Sequence, residues 1–220
     1  MGQYYYVANM DKQEYLYPHK LDNGFKLMEF SWQGNWVVNA MMNFMKDRWA
    51  GDTVLVVGDY ADYNYDPEAP GIKTLNRMYE QFEIPGKTFI DDGGSEYEEY
   101  LFHYIGENFT EISEEADTSE PGATYLINHA LKEYVDLSEL PITEMYNDVD
   151  FRVAPLTLLL ALGNGRGGGD YWEGYPGSEF VGSWADTVQS VEISCEIDPP
   201  AGYEEFVPYF VESSMDSEAV

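Results

Sequence analysis

The sequence predicts an α+β protein in which a ββαβ unit occurs twice around a mainly antiparallel sheet, with an acidic helical insertion between the copies. Three observations carry this expectation. Tyr6-Val7-Ala8-Asn9 followed by Glu14-Tyr15-Leu16 is echoed by Tyr125-Leu126-Ile127-Asn128 followed by Glu133-Tyr134-Val135, with Tyr, Asn, Glu and Tyr at the same spacing. Trp49-Ala50-Gly51-Asp52-Thr53-Val54 returns, in the same order along the chain, as Trp184-Ala185-Asp186-Thr187-Val188, one glycine shorter. Helical patterns lie between each hairpin and its Trp-Ala motif, and overlooking such a repeat would misassign the fold.

In the first unit, the aromatic and β-branched runs at Tyr6 and Tyr15 read as strands joined by a polar turn. Asn35 is a good N-cap, and Val37, Met41, Phe44 and Met45 then fall on one helix face. Thr53 to Val57 is nearly all β-branched and apolar, as a central strand buried on both faces requires. Ile72, Leu75, Met78, Tyr79 and Phe82 mark an amphipathic helix bracketed by Pro67 and Pro70 before it and Pro85 after it. Asp91 to Glu120 holds 11 acids and no lysine or arginine, yet Tyr97, Tyr100, Leu101 and Tyr104 at helical spacing predict that it folds. In the second unit, Pro155 suits the first turn of a helix over Leu156 to Leu162, Gly163 suits its left-handed end, and Trp184 is expected to open a strand. The expected divisions are 1–65 for the first unit, 66–121 for the helical and acidic insertion, 122–195 for the second unit with a glycine-rich loop, and 196–220 for an acidic C-terminal segment.

Charge is distributed unevenly. From Thr88 to Val220 there are 29 acidic residues against three basic ones, Lys132, Arg152 and Arg166, whereas the first 87 residues carry 12 acids and 8 bases. The net charge of −30 repels phosphate backbones and anionic membranes and attracts basic protein surfaces, with encounter rates that fall as salt rises. The expected partner is therefore a basic protein, nucleic-acid-binding proteins included, and not nucleic acid or a membrane directly. With 19 Tyr, 11 Phe and 5 Trp, the acid belongs to a folded surface and not to a disordered tail. The single cysteine, Cys195, excludes an intramolecular disulfide and a multi-cysteine zinc site, and is expected to be a buried small hydrophobe on a strand. No apolar run approaches 18 residues, and the N-terminus lacks a basic region followed by a signal-like apolar one. A cytoplasmic monomer or homodimer is the expected state.

Met1-Gly2-Gln3-Tyr4-Tyr5, Asp11-Lys12 with Glu14-Tyr15, Pro18-His19-Lys20, Lys26-Leu27, Arg48-Trp49-Ala50-Gly51-Asp52, Gly58-Asp59-Tyr60 and Gly163-Asn164-Gly165-Arg166-Gly167-Gly168-Gly169-Asp170 together resemble an uncharacterised family of bacterial and bacteriophage proteins. The resemblance runs over both units and implies no particular activity. Short members of that family place an Arg-Gly-Gly-Gly-Asp loop just before a Trp-Ala-Gly-Asp strand. Here the loop is present only in the second unit, where the motif reads Trp184-Ala185-Asp186, so the two units are not expected to carry equivalent sites. The phage association implies a role against host machinery.

The local candidate for chemistry is the glycine loop. Its backbone N–H groups could line one concavity, with Arg166 holding a phosphate or carboxylate bidentately, so Asn164, Gly165, Arg166, Gly167, Gly168, Gly169 and Asp170 form a candidate ligand set. Gly163, Gly165 and Gly168 match G-x-G-x-x-G, but the turn-rich Tyr171-to-Gly177 segment follows where a dinucleotide fold needs a helix. A purely structural Ω-loop remains the other reading. Candidate partner-binding acids are Asp91, Asp92, Glu96, Glu98, Glu99, Glu111, Glu114 and Glu115. Asp62 to Asp66 begins like a calcium loop but has Pro67 where glycine is needed, so no metal and no cofactor is expected, and no catalytic residue is assigned. His19-Lys20 could meet Asp52 or Asp59 in an acid-base pocket. Trp49 and Trp184 read as equivalent core plugs. The expected function is a non-enzymatic, phage-type acidic binding protein that engages a basic host protein as an inhibitor or nucleic-acid mimic, as an anti-defence protein would. The alternative is a small-ligand or nucleotide-binding protein, or a small enzyme, using the Gly163–Asp170 loop.

Overall fold

A computed structural model describes residues 2–61, 68–84, 87–90, 96–99, 101–140, 142–145, 149–165, 167–171 and 178–207. The chain is α+β, with sheets of mixed orientation. The first sheet has the order β11-β3-β1-β2-β6, built from β1 (Tyr5–Asn9), β2 (Glu14–Leu16), β3 (Val54–Gly58), β6 (Thr110–Glu111) and β11 (Ala161–Leu162). β1 pairs antiparallel with β2 and β3, while β6 and β11 add parallel at the two edges. All five residues of β3 are buried, as its apolar sequence requires. After the short α1 (Leu27–Phe30), helix α2 (Trp36–Lys46) starts where Asn35 caps it, the Asn35 side-chain Oδ1 accepting from the Val37 N–H, and buries Val37, Val38, Met41, Met42 and Met45.

The second sheet, β12-β7-β8-β13, comprises β7 (Tyr125–Asn128), β8 (Glu133–Asp136), β12 (Val191–Ser194) and β13 (Glu204–Glu205). It repeats the β3-β1-β2-β6 arrangement, including the parallel outer strand. Asn9 faces Glu14 and Val54, and Asn128 faces Glu133 and Val191. The turns agree in detail: Asn9 Oδ1 accepts from the Asp11 and Lys12 N–H groups, and Asn128 Oδ1 from those of Ala130 and Leu131. Gln13 and Lys132, each preceding its second strand, are both left-handed, with φ of 53° and 56°. From their carbonyls the parallel strands begin, through the Thr110 and Glu204 N–H groups.

The two sheets differ in their connections. Between β3 and β6 the first inserts α3 (Ile72–Phe82), the hairpin of β4 (Lys87–Ile90) and β5 (Glu96–Glu99), and α4 (Leu101–Asn108), whereas β12 reaches β13 through residues 195–203 alone. Tyr6, on the outer face, stacks on Phe102 of α4 with ring centroids 4.2 Å apart. Its counterpart Tyr125 donates to the Ile197 carbonyl of the short crossover. Between β8 and β12 lie the hairpin of β9 (Ile142–Met145) and β10 (Val149–Arg152), then α5 (Pro155–Leu159), and then β11, which belongs to the first sheet. One apolar core runs through both sheets.

Several local expectations are corrected. The second-unit helix ends at Leu159, not Leu162, because the Val56 N–H captures the Leu160 carbonyl and draws Ala161–Leu162 onto the open edge of β3. Leu158 to Leu162 are all buried, and a continuous apolar run has no period by which to distinguish helix from strand. The second copy therefore carries β9, β10 and β11 as additions between its hairpin and β12, with α5 among them. Tyr97 lies in β5, and α4 starts at Leu101. Trp184 opens a 3-10 segment, Ala185–Ser190, and the strand follows it. Cys195 is exposed, since β12 has already ended at Ser194.

Candidate functional site

The glycine loop is stitched into the first sheet. Gly168 bridges Gly2 and its carbonyl accepts from the Gln3 N–H, while the Gly169 carbonyl accepts from the Met28 N–H. The glycines are required by these approaches: a Cβ on Gly167 would lie 2.6 Å from the Gln3 nitrogen, and one on Gly169 would lie 2.3 Å from the Lys26 side chain. Asn164 clasps the loop, donating to the Tyr171 carbonyl at 2.6 Å and accepting from the Tyr171 N–H at 2.7 Å. Gly165, left-handed at φ +84°, stands in open space. Asp170 is fully buried and takes the Gly167 N–H at 2.9 Å and the Tyr5 hydroxyl at 3.0 Å. That N–H of the expected anion nest is therefore engaged by the loop's own carboxylate. Arg166 lies outside the described residues.

Beside the loop is a polar cluster whose members the sequence does not bring together. Asp59, just after β3, accepts from the Tyr4 N–H at 3.1 Å. Burial pushes its carboxyl up to about 6; the Tyr4 hydrogen bond and His103 oppose this, and Asp170 adds to it. Burial, then the Asp170 charge, raises the Tyr5 hydroxyl well above its ordinary value. The Gln3 side chain lies against Gly58, Gly163 and Gly167, and neither of its amide atoms has a hydrogen-bond partner among the described residues. Only the Gly58-Asp59-Tyr60 motif hinted at this cluster, because His103 arrives from α4.

The acids and bases fall into a definite pattern. Lys12 pairs with Asp52, Lys20 with Glu111 and, at 3.9 Å, with Glu114, Lys26 with Glu29, and Arg48 with both Glu14 and Glu115. Partial burial would raise the Glu111 carboxyl, but hydrogen bonds from Lys20 and Ser113 outweigh it and hold it below the ordinary range. Glu111 and Glu115 thus hold the first sheet's own bases, while the Glu114 side chain stays 87% exposed. Glu96, Glu98 and Glu99 lie along β5, and Asp91 and Asp92 lie outside the described residues. The expected His19-Lys20 pocket does not form: His19 Nδ1 meets the Asn23 carbonyl, Lys20 turns to Glu111, and Asp52 takes Lys12. In the second sheet the described residues offer only an imidazole–carboxylate contact, His129 Nε2 with Glu192 at 2.8 Å, although Glu133, Asp136, Glu192, Glu204 and Glu205 all lie on its strands.

Trp49 and Trp184 are both core plugs, 1% and 0% exposed. Each donates its indole N–H to a carboxylate, Trp49 to Glu14 at 2.8 Å and Trp184 to Glu133 at 3.0 Å. Among the described residues, no group of three or more potential ligands could hold a metal, and no helix is long and apolar enough to cross a membrane. The Asp62-to-Asp66 stretch lies outside those residues. No family model, no curated protein and no solved structure matches this chain.

Proposed function

We propose that this chain is a non-enzymatic acidic binding protein whose partner is a basic protein, in particular one whose surface ordinarily meets nucleic acid, and that it acts there as an inhibitor or nucleic-acid mimic in the cytoplasm of a phage host. The supporting observation is the distribution of ion pairs. Lys12, Lys20, Lys26 and Arg48 are engaged with carboxylates around the first sheet, so the remaining acid, concentrated after Thr88, is left to face a partner. Such a field accelerates encounter with cationic surfaces and excludes polyanions. The glycine loop favours the ligand alternative less, because Asp170 already accepts the Gly167 N–H.

The test is capture from a bacterial lysate on the immobilised chain at low and high salt. Enrichment of nucleic-acid-binding proteins that elute with salt, and whose DNA or RNA binding the purified chain then inhibits, supports the proposal. Salt-insensitive capture, or copurification of a nucleotide or metabolite with the chain, overturns it.

A further inference from the structure

The two sheets are built alike around their tryptophans, and one difference between them marks a binding position. In the first sheet the Ala50 N–H bonds the Asp47 carbonyl and the Asp52 N–H bonds the Trp49 carbonyl. In the second the Ala185 N–H bonds the Gly182 carbonyl and the Thr187 N–H bonds the Trp184 carbonyl. The side chains agree: Asn9 Nδ2 donates to Asp52 Oδ2 and Asn128 Nδ2 to Thr187 Oγ1, each at 2.8 Å. Asp52 therefore corresponds to Thr187 and not to Asp186, so the apparent missing glycine is no deletion. The extra residues come later, since Met10 and His129 take the equivalent carbonyls of Thr53 and Ser190.

With the turn in register, Arg48 corresponds to Ser183. Arg48 places its guanidinium between Glu14 and Glu115 and over the Phe44 ring, 5.9 Å from its centroid, and that ring stacks on the tryptophan, Trp49, that Glu14 also holds. In the second sheet, Glu133 holds Trp184 in the same way, and half-buried Phe206 lies against that indole with centroids 5.9 Å apart. The cation is what differs. No lysine or arginine among the described residues is paired with Glu133, and Ser183 Oγ is buried without a hydrogen-bond partner. A second acid, Glu204, stands in register with Glu133 where the first sheet has Thr110. The flanking segments 172–177 and 208–220 contain no lysine or arginine that could fill the place.

We propose that Glu133, with Glu204, Ser183 and the Trp184–Phe206 pair, receives an arginine side chain of the basic partner in the way that Glu14 and its neighbours receive Arg48. A planar guanidinium suits this position because it can hydrogen-bond a carboxylate and stack on an aromatic ring at once, which a lysine ammonium does less well. The inference rests on the reading of the chain as a binder of basic proteins.

The test measures calorimetric affinity of the full chain for hexa-arginine and hexa-lysine peptides at fixed low salt. Hexa-arginine should bind more tightly, and Glu133→Gln, which keeps an acceptor for Trp184, should weaken it by about tenfold as a charge-assisted contact is lost. Ser183→Arg should weaken it similarly by supplying the cation internally. Glu80→Gln, which removes one charge from an exposed position on α3, should leave affinity within about twofold, as screening of a distant exposed charge requires. Equal affinity for the two peptides, or binding unchanged by Glu133→Gln, overturns the arginine position while leaving the acidic-binder reading intact. Failure of both peptides to bind at low salt overturns both. Should Ser183→Arg not fold, Glu133→Gln decides alone.

Discussion

Tyr5 and Asp170 are joined by a buried hydrogen bond of 3.0 Å between the first strand and the end of the glycine loop, 165 positions apart. Asp170 also accepts the Gly167 N–H, so removing its carboxylate orphans two donors at once. Asp170→Ala should therefore destabilise the fold by about 3 kcal/mol, and Tyr5→Phe by about 1 kcal/mol, since the latter leaves the loop's own bond in place. Urea denaturation of the two variants, compared with wild type, checks the order; equal effects would deny the carboxylate its central place.

Gly167 and Gly165 make opposite demands on a side chain. A methyl at Gly167 meets the Gln3 backbone, whereas Gly165 has open space and only its left-handed φ to lose. Gly167→Ala should cost about 2 kcal/mol or more through overpacking against backbone, and Gly165→Ala about 1 kcal/mol. Thermal midpoints in the reverse order would mean that the loop does not pack on Gln3.

The Asp59 carboxyl titrates higher in the folded chain than when unfolded, because burial disfavours its charge. The folded state then binds more protons between its ordinary value and about 6, so this contribution to stability falls as pH rises through that window and is level above it. Asp59→Asn, which keeps an acceptor for Tyr4, should gain on wild type as pH rises from about 4 to about 7, with the difference constant above. Denaturation midpoints across that range test it; a difference that does not vary with pH would place Asp59 in ordinary solvent.

Reversing Asp91, Asp92, Glu96, Glu98 and Glu99 to lysine should slow association with a basic partner and flatten its salt dependence, while leaving the circular dichroism spectrum unchanged. Stopped-flow association rates at several salt concentrations supply the measurement. Unaltered rates would remove β5 and positions 91 and 92 from the contact and leave the second sheet as the contact surface.

The fold is legible in the sequence where side chains declare their own structure. Asn35 capped its helix, the buried β3 followed from its apolar residues, and the spaced Tyr, Asn, Glu and Tyr positions marked two hairpins that pair in the same register. Where a distant partner decides, the local pattern is silent or ambiguous. Leu160 to Leu162 suit helix and strand equally, and only the unpaired edge of β3 selects the strand. Parallel strands β6 and β13 are two residues each, too short to leave a pattern, and take their place from the carbonyls of Gln13 and Lys132. At the loop, glycine density left a ligand loop and a structural Ω-loop both open; that Gly167 meets Gln3 and Gly169 meets Lys26, residues far away in sequence, has no local pattern. Beyond the Gly58-Asp59-Tyr60 motif, the Asp59 cluster had no local signature, since His103 and Asp170 come from separate segments.

Because β11 and the glycine loop leave the second half of the chain to complete the first sheet, neither half covers its own apolar surface or pairs its own sheet edge in full. A chain cut after residue 121 would leave the amino-terminal fragment with β3 bare along one side and the Tyr5 hydroxyl without its Asp170 acceptor. The carboxy-terminal fragment would keep its four-stranded sheet but expose the leucines of residues 158–162. The break thus creates two complementary sticky surfaces, and the pieces are suited to reassemble with each other as a split protein.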